Sequence, residues 1–452
     1  MRLEEIIEVG LGEGAAVVLG DKSTTVNFRL ANNTVTTNGR EESTSTGMVA
    51  LAQGRVGVQT GDIVDRSQVV ELARAAAARA QQSPEAPDVM PLLTPAEAAS
   101  SDLDAAGPAP EALPADLEPI LESVRGILEQ SRAAGLRCFG YAQASASQEQ
   151  LGTATGVRLE GRRQNASLAL TLKTEDLRRS VWAGATARRL ADLDPGSMYQ
   201  GLSRRLDWTE RSVELPAGHY QVILEPSATS DLIVRLMWEM HARGADEGRT
   251  VFAGQAGTRV GEAMYAPEIT LESDPLDSQM AVPAFVRCLG SSEFGSVFDN
   301  GLAVPATVWV EGGVQQELIC PRRWAKDHGH QVRPDVDNLK MRGSAISLDQ
   351  MIASTERALL VTSLWYIRDV DPATLLLTGL TRDGVFLIEQ GQVVGAVNNF
   401  RFNESPVGVL QRTVEIGSSE LAYSREIGDA LFIKAPPIRV ENFFMSSVSD
   451  AI

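Results

Sequence analysis

The most constraining feature of this sequence is a series of short β-prone runs near its start, separated by turn residues. The runs are rich in Val, Thr and Leu and cover residues 15–19, 24–30, 34–37, 44–52 and 55–59. Between them, Asn32-Asn33 and Asn38-Gly39 tolerate the positive φ of a tight turn, and Gln53-Gly54 separates the last two runs. The first 60 residues therefore predict an antiparallel meander.

Two helices are predicted to cover this meander. Asp65 and Gln68 have the spacing of a capping box, and the apolar residues that follow keep one face through about Gln81. Pro119 suits the first turn of a second amphipathic helix, which is expected to end near Gly135. Residues 137–173 return to strand patterns and weakly repeat the first sixty residues.

The stretch between the two helices has a different composition. Residues 83–119 hold eight prolines, eight acidic residues and no Lys or Arg. Proline removes backbone donors and like charges repel, so this stretch is predicted to be a solvated connection. It lies within a predicted N-terminal α+β domain of residues 1–210, which is followed by a β-rich C-terminal domain of residues 211–452.

The second half favours strands, with few helices. Helices are predicted at 230–243 and 347–360, and residues 377–416 are especially β-like, with Gln390-Gly391 as a hairpin turn. The fold class that follows is α+β. It consists of antiparallel β-meanders with covering helices in the N-terminal half and a β-rich domain in the C-terminal half.

The net charge and the cysteine content restrict the classes of partner and the cellular compartment. The 452 residues hold 59 acidic and 41 basic side chains, a formal net charge of −18, which disfavours both a nucleic-acid partner and an anionic membrane surface. Three scattered cysteines fit a reducing cytoplasm. No export signal and no bilayer-length apolar run is evident, which predicts a soluble cytoplasmic protein.

Only four histidines are available for metal or nucleophile chemistry: His219, His241, His328 and His330. His328 and His330 would share a face if they lay on a strand, and Cys320 with Asp327, Asp335 or Asp337 could complete a tetrahedral metal site. The alternative is a solvated loop. His241 is interpreted as a surface or cap residue. No HExxH, GxSxG or GxxxxGK[ST] motif occurs, and no catalytic residue is assigned.

Five segments, taken together, form a more specific pattern than any of these sites. They are residues 29–33, 54–58, 215–226, 251–257 and 380–406, which read RLANN, GRVGV, LPAGHYQVILEP, VFAGQAG and LTRDGVFLIEQGQVVGAVNNFRFNESP. In this order, over most of the chain, they resemble the TldD/PmbA family of metallopeptidase-related proteins. The resemblance implies two branches of similar fold that pair as a heterodimer.

In the TldD branch, a helix after the proline of the third segment carries an HExxxH motif that binds zinc with a distant cysteine. The matching residues here, 230–241, contain neither paired histidine, and Leu, Met and Trp offer zinc no lone pair. The chain thus resembles the TldE (PmbA) branch. No cofactor is then expected in this chain, and zinc is expected in a TldD-like partner.

The resemblance implies a non-catalytic subunit of a zinc metalloprotease that cleaves unfolded or extended peptides. Two alternatives remain open at this point. One is a stand-alone hydrolase for a peptide or amide metabolite, using His328, His330 and Cys320 or a nearby acid. The other is an interaction protein such as a DNA gyrase modulator. A homodimer is possible where the partner is absent.

Overall fold

Two long antiparallel hairpins form the N-terminal half. The computed structural model describes residues 1–63, 65–100, 117–255 and 257–449. The strands are β1 (Val17–Ala31), β2 (Thr34–Ala52), β3 (Arg55–Asp62), β4 (Leu136–Thr153), β5 (Arg158–Thr174) and β6 (Ser180–Ala187), in the sheet order β3-β2-β1-β4-β5-β6. Every neighbouring pair in this sheet is antiparallel, which confirms the predicted meander.

The predicted turns have two outcomes. Asn32 (φ 51°), Asn33 (φ 61°) and Gln53 (φ 49°) adopt left-handed conformations between strands, as predicted. The prediction of a turn at Asn38-Gly39 is wrong, because these residues lie inside β2 and pair with Phe28 and Asn27 of β1. Continuous pairing with β1 holds this polar stretch extended, so the predicted short runs merge into two long strands.

Four helices pack on one face of this sheet. They are α1 (Leu3–Gly12), α2 (Arg66–Gln82), α3 (Leu117–Ala133) and α4 (Pro195–Trp208). The capping box of Asp65 and Gln68 is present at the start of α2, as predicted. The order helix, three strands, helix occurs twice, as α1-β1-β2-β3-α2 and α3-β4-β5-β6-α4. This topological repeat matches the weak repeat of the sequence.

The opposite face of the sheet is covered by irregular chain. Residues 86–99 pack there with Val17, Val49 and Phe298, and Leu93 is only 3% exposed. The prediction of a solvated connection is therefore wrong for most of the apolar residues of 86–99, which are partly or fully buried on the sheet, whereas the prolines between them are exposed. Residues 101–116 of that predicted connection lie outside the described residues.

The C-terminal half contains three further sheets. Their strands are β7 (Ser212–Val213), β8 (Gly218–Leu224), β9 (Ala253–Gly254), β10 (Gly257–Thr258), β11 (Leu271–Ser273), β12 (Thr307–Glu311), β13 (Val314–Gln315), β14 (Asn338–Met341), β15 (Arg357–Val361), β16 (Leu364–Asp371), β17 (Leu376–Thr381), β18 (Val385–Glu389), β19 (Gln392–Val397), β20 (Phe400–Glu404), β21 (Thr413–Ile416), β22 (Glu420–Ser424), β23 (Gly428–Ala435) and β24 (Ile438–Val448). The helices are α5 (Pro226–Trp238), α6 (Ala242–Asp246), α7 (Arg322–His328), α8 (Leu348–Ala353) and α9 (Pro406–Gln411).

The largest of these sheets has ten strands, in the order β16-β17-β20-β24-β8-β15-β18-β19-β7, with β21 beside β24. A six-stranded sheet has the order β13-β12-β11-β14-β23-β22, and β9 pairs with β10. The predicted hairpin at Gln390-Gly391 joins β18 and β19. This architecture confirms the α+β class.

Two predicted helices are shorter than expected. The helix at 230–243 is interrupted after Trp238, and α6 begins afresh behind His241. The helix at 347–360 ends at Ala353, because the apolar run Ala358–Val361 forms the interior strand β15 of the ten-stranded sheet. A short apolar run without glycine or proline does not distinguish a buried strand from a helix.

The ten-stranded sheet separates two cores. Ile223, Leu360 and Phe386 face α4 and share a core with the N-terminal sheet, whereas Val222 and Leu359 share a core with α5. Alternate residues of each strand thus contact opposite layers. None of the described helices combines the length and the apolar character that a bilayer crossing requires.

Candidate functional site

Helix α5 lies at the centre of the C-terminal half. Pro226 occupies its first turn, where the missing N–H costs nothing and the fixed φ favours the helix. Ten of its thirteen residues are buried, from Pro226 to Met237. A helix held in this way is a rigid support for the few charged side chains that it carries.

Asp231 is the first of these charged side chains and is fully buried. Ser424 Oγ donates to Asp231 Oδ1 over 2.6 Å, and the N–H of Glu426 donates to the same oxygen over 3.3 Å. Burial raises the pKa of Asp231 to about 7, although these hydrogen bonds act in the opposite direction. Asp231 therefore fixes the turn after β22 to α5.

Glu426, in that turn, holds the start of the edge strand β16. Its carboxylate accepts from the N–H groups of Tyr366 and Ile367, the latter over 3.0 Å, and from Arg235 of α5 over 3.4 Å. Tyr366 has φ 55°, and this hydrogen bonding stabilises its left-handed conformation. The Arg235 guanidinium also lies over the ring of Trp238, 4.9 Å from the centroid.

A second charged group centres on Asp383, in the turn before β18. Asp383 has φ 56° and accepts from Ser180 of the N-terminal sheet and from Arg425 over 2.7 Å. Burial acts to raise the pKa of Asp383, but the hydrogen bonds from Ser180 and Arg425 outweigh it and hold the pKa below its usual value. Arg382 lies 3.5 Å from the same carboxylate and also braces the turn.

The structure does not bring His328, His330 and Cys320 together as metal ligands. His328 ends α7 and stacks on Trp324 with the ring centroids 3.8 Å apart, whereas His330 Nε2 lies 2.8 Å from Asp246 Oδ2. Cys320 is 1% exposed, and burial together with nearby carboxylates raises its pKa to about 12. Among the described residues, no group of three or more His, Cys, Asp or Glu could hold a metal ion.

His328 and His330 do not lie on a strand, which was the condition for a shared face. Gly329, with φ 76°, ends α7 in the left-handed conformation, so the two imidazoles follow a helix terminus. The nearby acids have other partners, because Asp327 pairs with Arg323 over 2.6 Å and Asp337 pairs with Arg163. Asp335 lies apart from these pairs and is described below.

His241 has the cap role predicted for it. Its Nδ1 accepts from the Gly244 N–H over 3.0 Å at the start of α6, and burial lowers its pKa. The ring meets Phe294 edge-on, with centroids 5.1 Å apart. His219 stacks on Phe444 with centroids 4.6 Å apart.

Comparison with known proteins identifies the family. The sequence profile of the PmbA/TldA metallopeptidase C-terminal domain matches residues 217–447, slightly more than half of the chain. The chain belongs to the PmbA/TldA metallopeptidase family. No curated protein sequence matches it significantly.

Solved structures share the fold of this PmbA/TldA member over nearly its whole length. TldE from Thermococcus kodakarensis has a TM-score of 0.79 at 17% identity and covers 98% of this chain and 99% of its own. A candidate modulator of DNA gyrase from Bacteroides thetaiotaomicron has a TM-score of 0.80 at 15% identity, with 98% of each chain covered. Another from Thermotoga maritima has a TM-score of 0.77 at 15% identity, again with 98% of each chain covered.

The side chains of α5 do not fit the zinc that a metallopeptidase family implies. The helix presents one carboxylate, Asp231, which is already hydrogen-bonded, and one guanidinium, Arg235, which has no lone pair to donate. Zinc sites need three or four nitrogen, sulfur or carboxylate ligands, and α5 with its described neighbours does not supply them.

Sequence reasoning missed the network of Asp231, Arg235 and Glu426. One signal could have indicated it. Asp231 and Arg235 are the only charged residues in an otherwise apolar or small-residue helix, and they stand one turn apart. Such residues need buried partners, but the partners, Ser424 and Glu426, are almost 200 residues away in the sequence.

Proposed function

We propose that this chain is the non-catalytic, TldE-like subunit of a two-chain zinc peptidase, in which a TldD-like partner supplies the metal and the activated water. One observation carries the proposal. The buried helix α5, which matches the zinc helix of the TldD branch, presents Arg235 paired with Glu426 and no imidazole.

The chemistry of α5 is that of a structural support. A guanidinium stays protonated at every physiological pH, so Arg235 acts neither as a metal ligand nor as a general base. Glu426 is occupied by three donors, and Asp231 fixes the turn that carries it. This arrangement maintains the shape of the metal helix while replacing its catalytic groups.

The substrate that we propose is an extended peptide. The ten-stranded sheet ends at β16. Strand β3 covers only Ser45–Ala52 of β2, and the Ile63 N–H donates to the Thr44 carbonyl, so residues 34–43 have no outer strand partner among the described residues. An extended peptide or a partner strand can add to such an edge through main-chain hydrogen bonds, irrespective of side chains. We place this activity in the cytoplasm, where the three free cysteines would stay reduced.

Metal content and peptide cleavage test the proposal directly. The chain should be purified alone and with a TldD-like partner, and each sample assayed for zinc and for cleavage of an unstructured peptide. We expect zinc only in the sample with the partner, and cleavage only when both chains are present. Stoichiometric zinc in this chain alone would favour a stand-alone hydrolase. Cleavage that is unchanged when this chain is omitted would favour an interaction protein.

A second assay on the two-chain complex distinguishes cleavage of peptides bound as added strands from cleavage by a general protease. Unstructured peptides should be cleaved at least about tenfold faster than a stably helical peptide of equal length, since strand addition requires an extended backbone. Equal rates on both substrates would contradict the role proposed for the sheet edges.

A further inference from the structure

A cleft of about 380 Å³ separates the N-terminal sheet from the segment 283–295. Glu149 of β4 and Arg163 of β5 line it on the sheet side, and the residues just before β14 line it on another side. Its volume falls at the lower end of the range for small-molecule sites. None of the residues discussed above for α5 lines this cleft.

Two glycines of the sheet allow the segment to approach so closely. A Cβ at Gly161 would lie 2.8 Å from Pro283, and a Cβ at Gly47 would lie 2.4 Å from Leu289. Real Cβ atoms do not approach other atoms so closely, so a larger residue at 161 would push Pro283 outward, and one at 47 would displace the end of the Leu289 side chain. The short distance between the sheet and this segment therefore depends on the absence of side chains at Gly161 and Gly47.

The two guanidinium groups in the cleft are already neutralised. Arg287 Nη1 lies 2.6 Å from Glu149 Oε2, and Arg287 Nη2 lies 2.7 Å from Asp21 Oδ1. Arg163 lies 3.5 Å from Glu149 Oε1 and pairs with Asp337. An anionic ligand would have to displace these carboxylates, so the geometry does not favour one.

Asp335 is the remaining charged side chain among those that line the cleft, and no described cation lies within ion-pair distance of it. Its side chain is accessible to solvent, and the hydrogen bond it receives comes from the adjacent Val336 N–H, over 2.9 Å. Burial of the surrounding site, followed by repulsion from Asp337, raises the pKa of Asp335 to about 6. Asp335 is thus an ionised and unpaired carboxylate at pH 7.5.

The rest of the lining is mixed, because Cys288 and Ser292 stand beside several apolar side chains. Phe285, Phe294, Val286 and Val304 line it together with Pro283. A single unpaired carboxylate beside these apolar side chains suits a cation that carries its own apolar group, because a bare divalent metal needs several oxygen ligands.

We propose that this cleft binds a primary ammonium group carried on an apolar residue, such as the free N-terminus of an extended peptide, with Asp335 as its counter-ion. The inference deepens the proposed function and rests on it only in taking the ligand to be a peptide. A lysine side chain offers the same ammonium group, so the experiment must distinguish the two sources.

Calorimetric binding at pH 7.5 tests the inference on the full-length chain, alone and with its partner. The probes are an unstructured heptapeptide amide with an N-terminal leucine, its N-acetylated twin, and an acetylated twin with one lysine. Asp335→Asn is the test variant. Asp192→Asn is the matched control, since Asp192 is exposed and does not line the cleft.

N-acetylation of the peptide and Asp335→Asn each remove the ion-paired hydrogen bond. Each should weaken binding relative to the free-amine peptide and wild type on the order of tenfold. Asp335→Asn should leave the acetylated twin unaffected, and Asp192→Asn should change nothing. Recovery of affinity by the lysine peptide would assign the site to a side-chain ammonium group. The inference is overturned if neither amine improves binding, or if Asp335→Asn and Asp192→Asn behave alike. Because no cleavage is measured, this failure is distinct from failure of the proposed subunit role.

Discussion

The charged network at α5 and the cleft on the N-terminal sheet contain similar groups but arrange them differently. At α5, Glu426 accepts from Arg235 and from two backbone N–H groups, and its side chain is 8% exposed. In the cleft, Asp335 is accessible, and no described cation lies within ion-pair distance of it. The difference indicates that charge alone does not mark a binding site. A charge whose partners are all supplied by the fold is structural, whereas one left unpaired in a cavity is available to a ligand.

The largest effect is expected from breaking the network itself. Glu426→Gln leaves the mostly buried Arg235 guanidinium with only the half-exposed carboxylate of Asp369, 3.8 Å away, so the free energy of unfolding should fall by about 3 kcal/mol. Urea denaturation at pH 7.5 measures this. Asp327→Asn removes the more exposed pair with Arg323 and serves as the control, which should change stability by less than about 0.5 kcal/mol. Equal losses in the two variants would contradict the contrast between buried and exposed pairs.

The pH dependence of stability offers a second test at the same helix. The pKa of Asp231 is raised to about 7 in the folded chain, so the folded state binds a proton that the unfolded state has already released. The contribution of Asp231 to the free energy of unfolding should therefore fall as the pH rises from about 4 through 7. Asp231→Asn removes this contribution. When the pH is raised from 5 to 8, the free energy of unfolding of the variant should therefore rise by about 2 kcal/mol relative to that of wild type.

Urea unfolding curves at several pH values check this prediction, because the other titrating groups cancel in the difference between the two proteins. Parallel pH profiles for wild type and Asp231→Asn would show that Asp231 does not titrate in this range. The same substitution at Asp192, which is exposed, supplies the control.

A smaller effect is expected where the cleft is shaped by backbone contact. Gly161→Ala would force the segment around Pro283 away from β5 and should cost about 1 kcal/mol. Gly126→Ala in α3 is the control, since nothing lies within 4 Å of its added Cβ, and it should stabilise the helix by up to about 1 kcal/mol. Thermal unfolding of both variants gives the comparison, and a stabilised Gly161→Ala would refute the close approach.

The smallest effect on stability is expected at the proposed ligand carboxylate. Asp335→Asn keeps an acceptor for the Val336 N–H and removes repulsion from Asp337, so stability at pH 7.5 should be unchanged or raised by less than about 1 kcal/mol. A loss comparable to that of Glu426→Gln would make Asp335 a structural residue and remove the contrast between the two regions.

Much of the fold could be predicted because it depends on local chemistry. The turns at Asn32-Asn33 and Gln390-Gly391, the capping box of Asp65 and the cap role of His241 all depend on a few neighbouring residues. The errors occur where distant chain decides the outcome. Residues 83–100 bury apolar side chains on the sheet, and β15 replaces a helix because it lies between two strands.

The sequence by itself determined the α+β class, the resemblance to the TldD/PmbA family and the lack of a histidine pair on α5, because composition, periodicity and motif spacing are properties of the chain. Only the tertiary structure decided which charges are neutralised. Arg235 and Glu426 are 191 positions apart, and Glu149 meets Arg287 across 138 positions. Burial and pairing energies depend on such contacts. The paired charges at α5 and the unpaired Asp335 in the cleft are therefore distinguishable only in the folded chain.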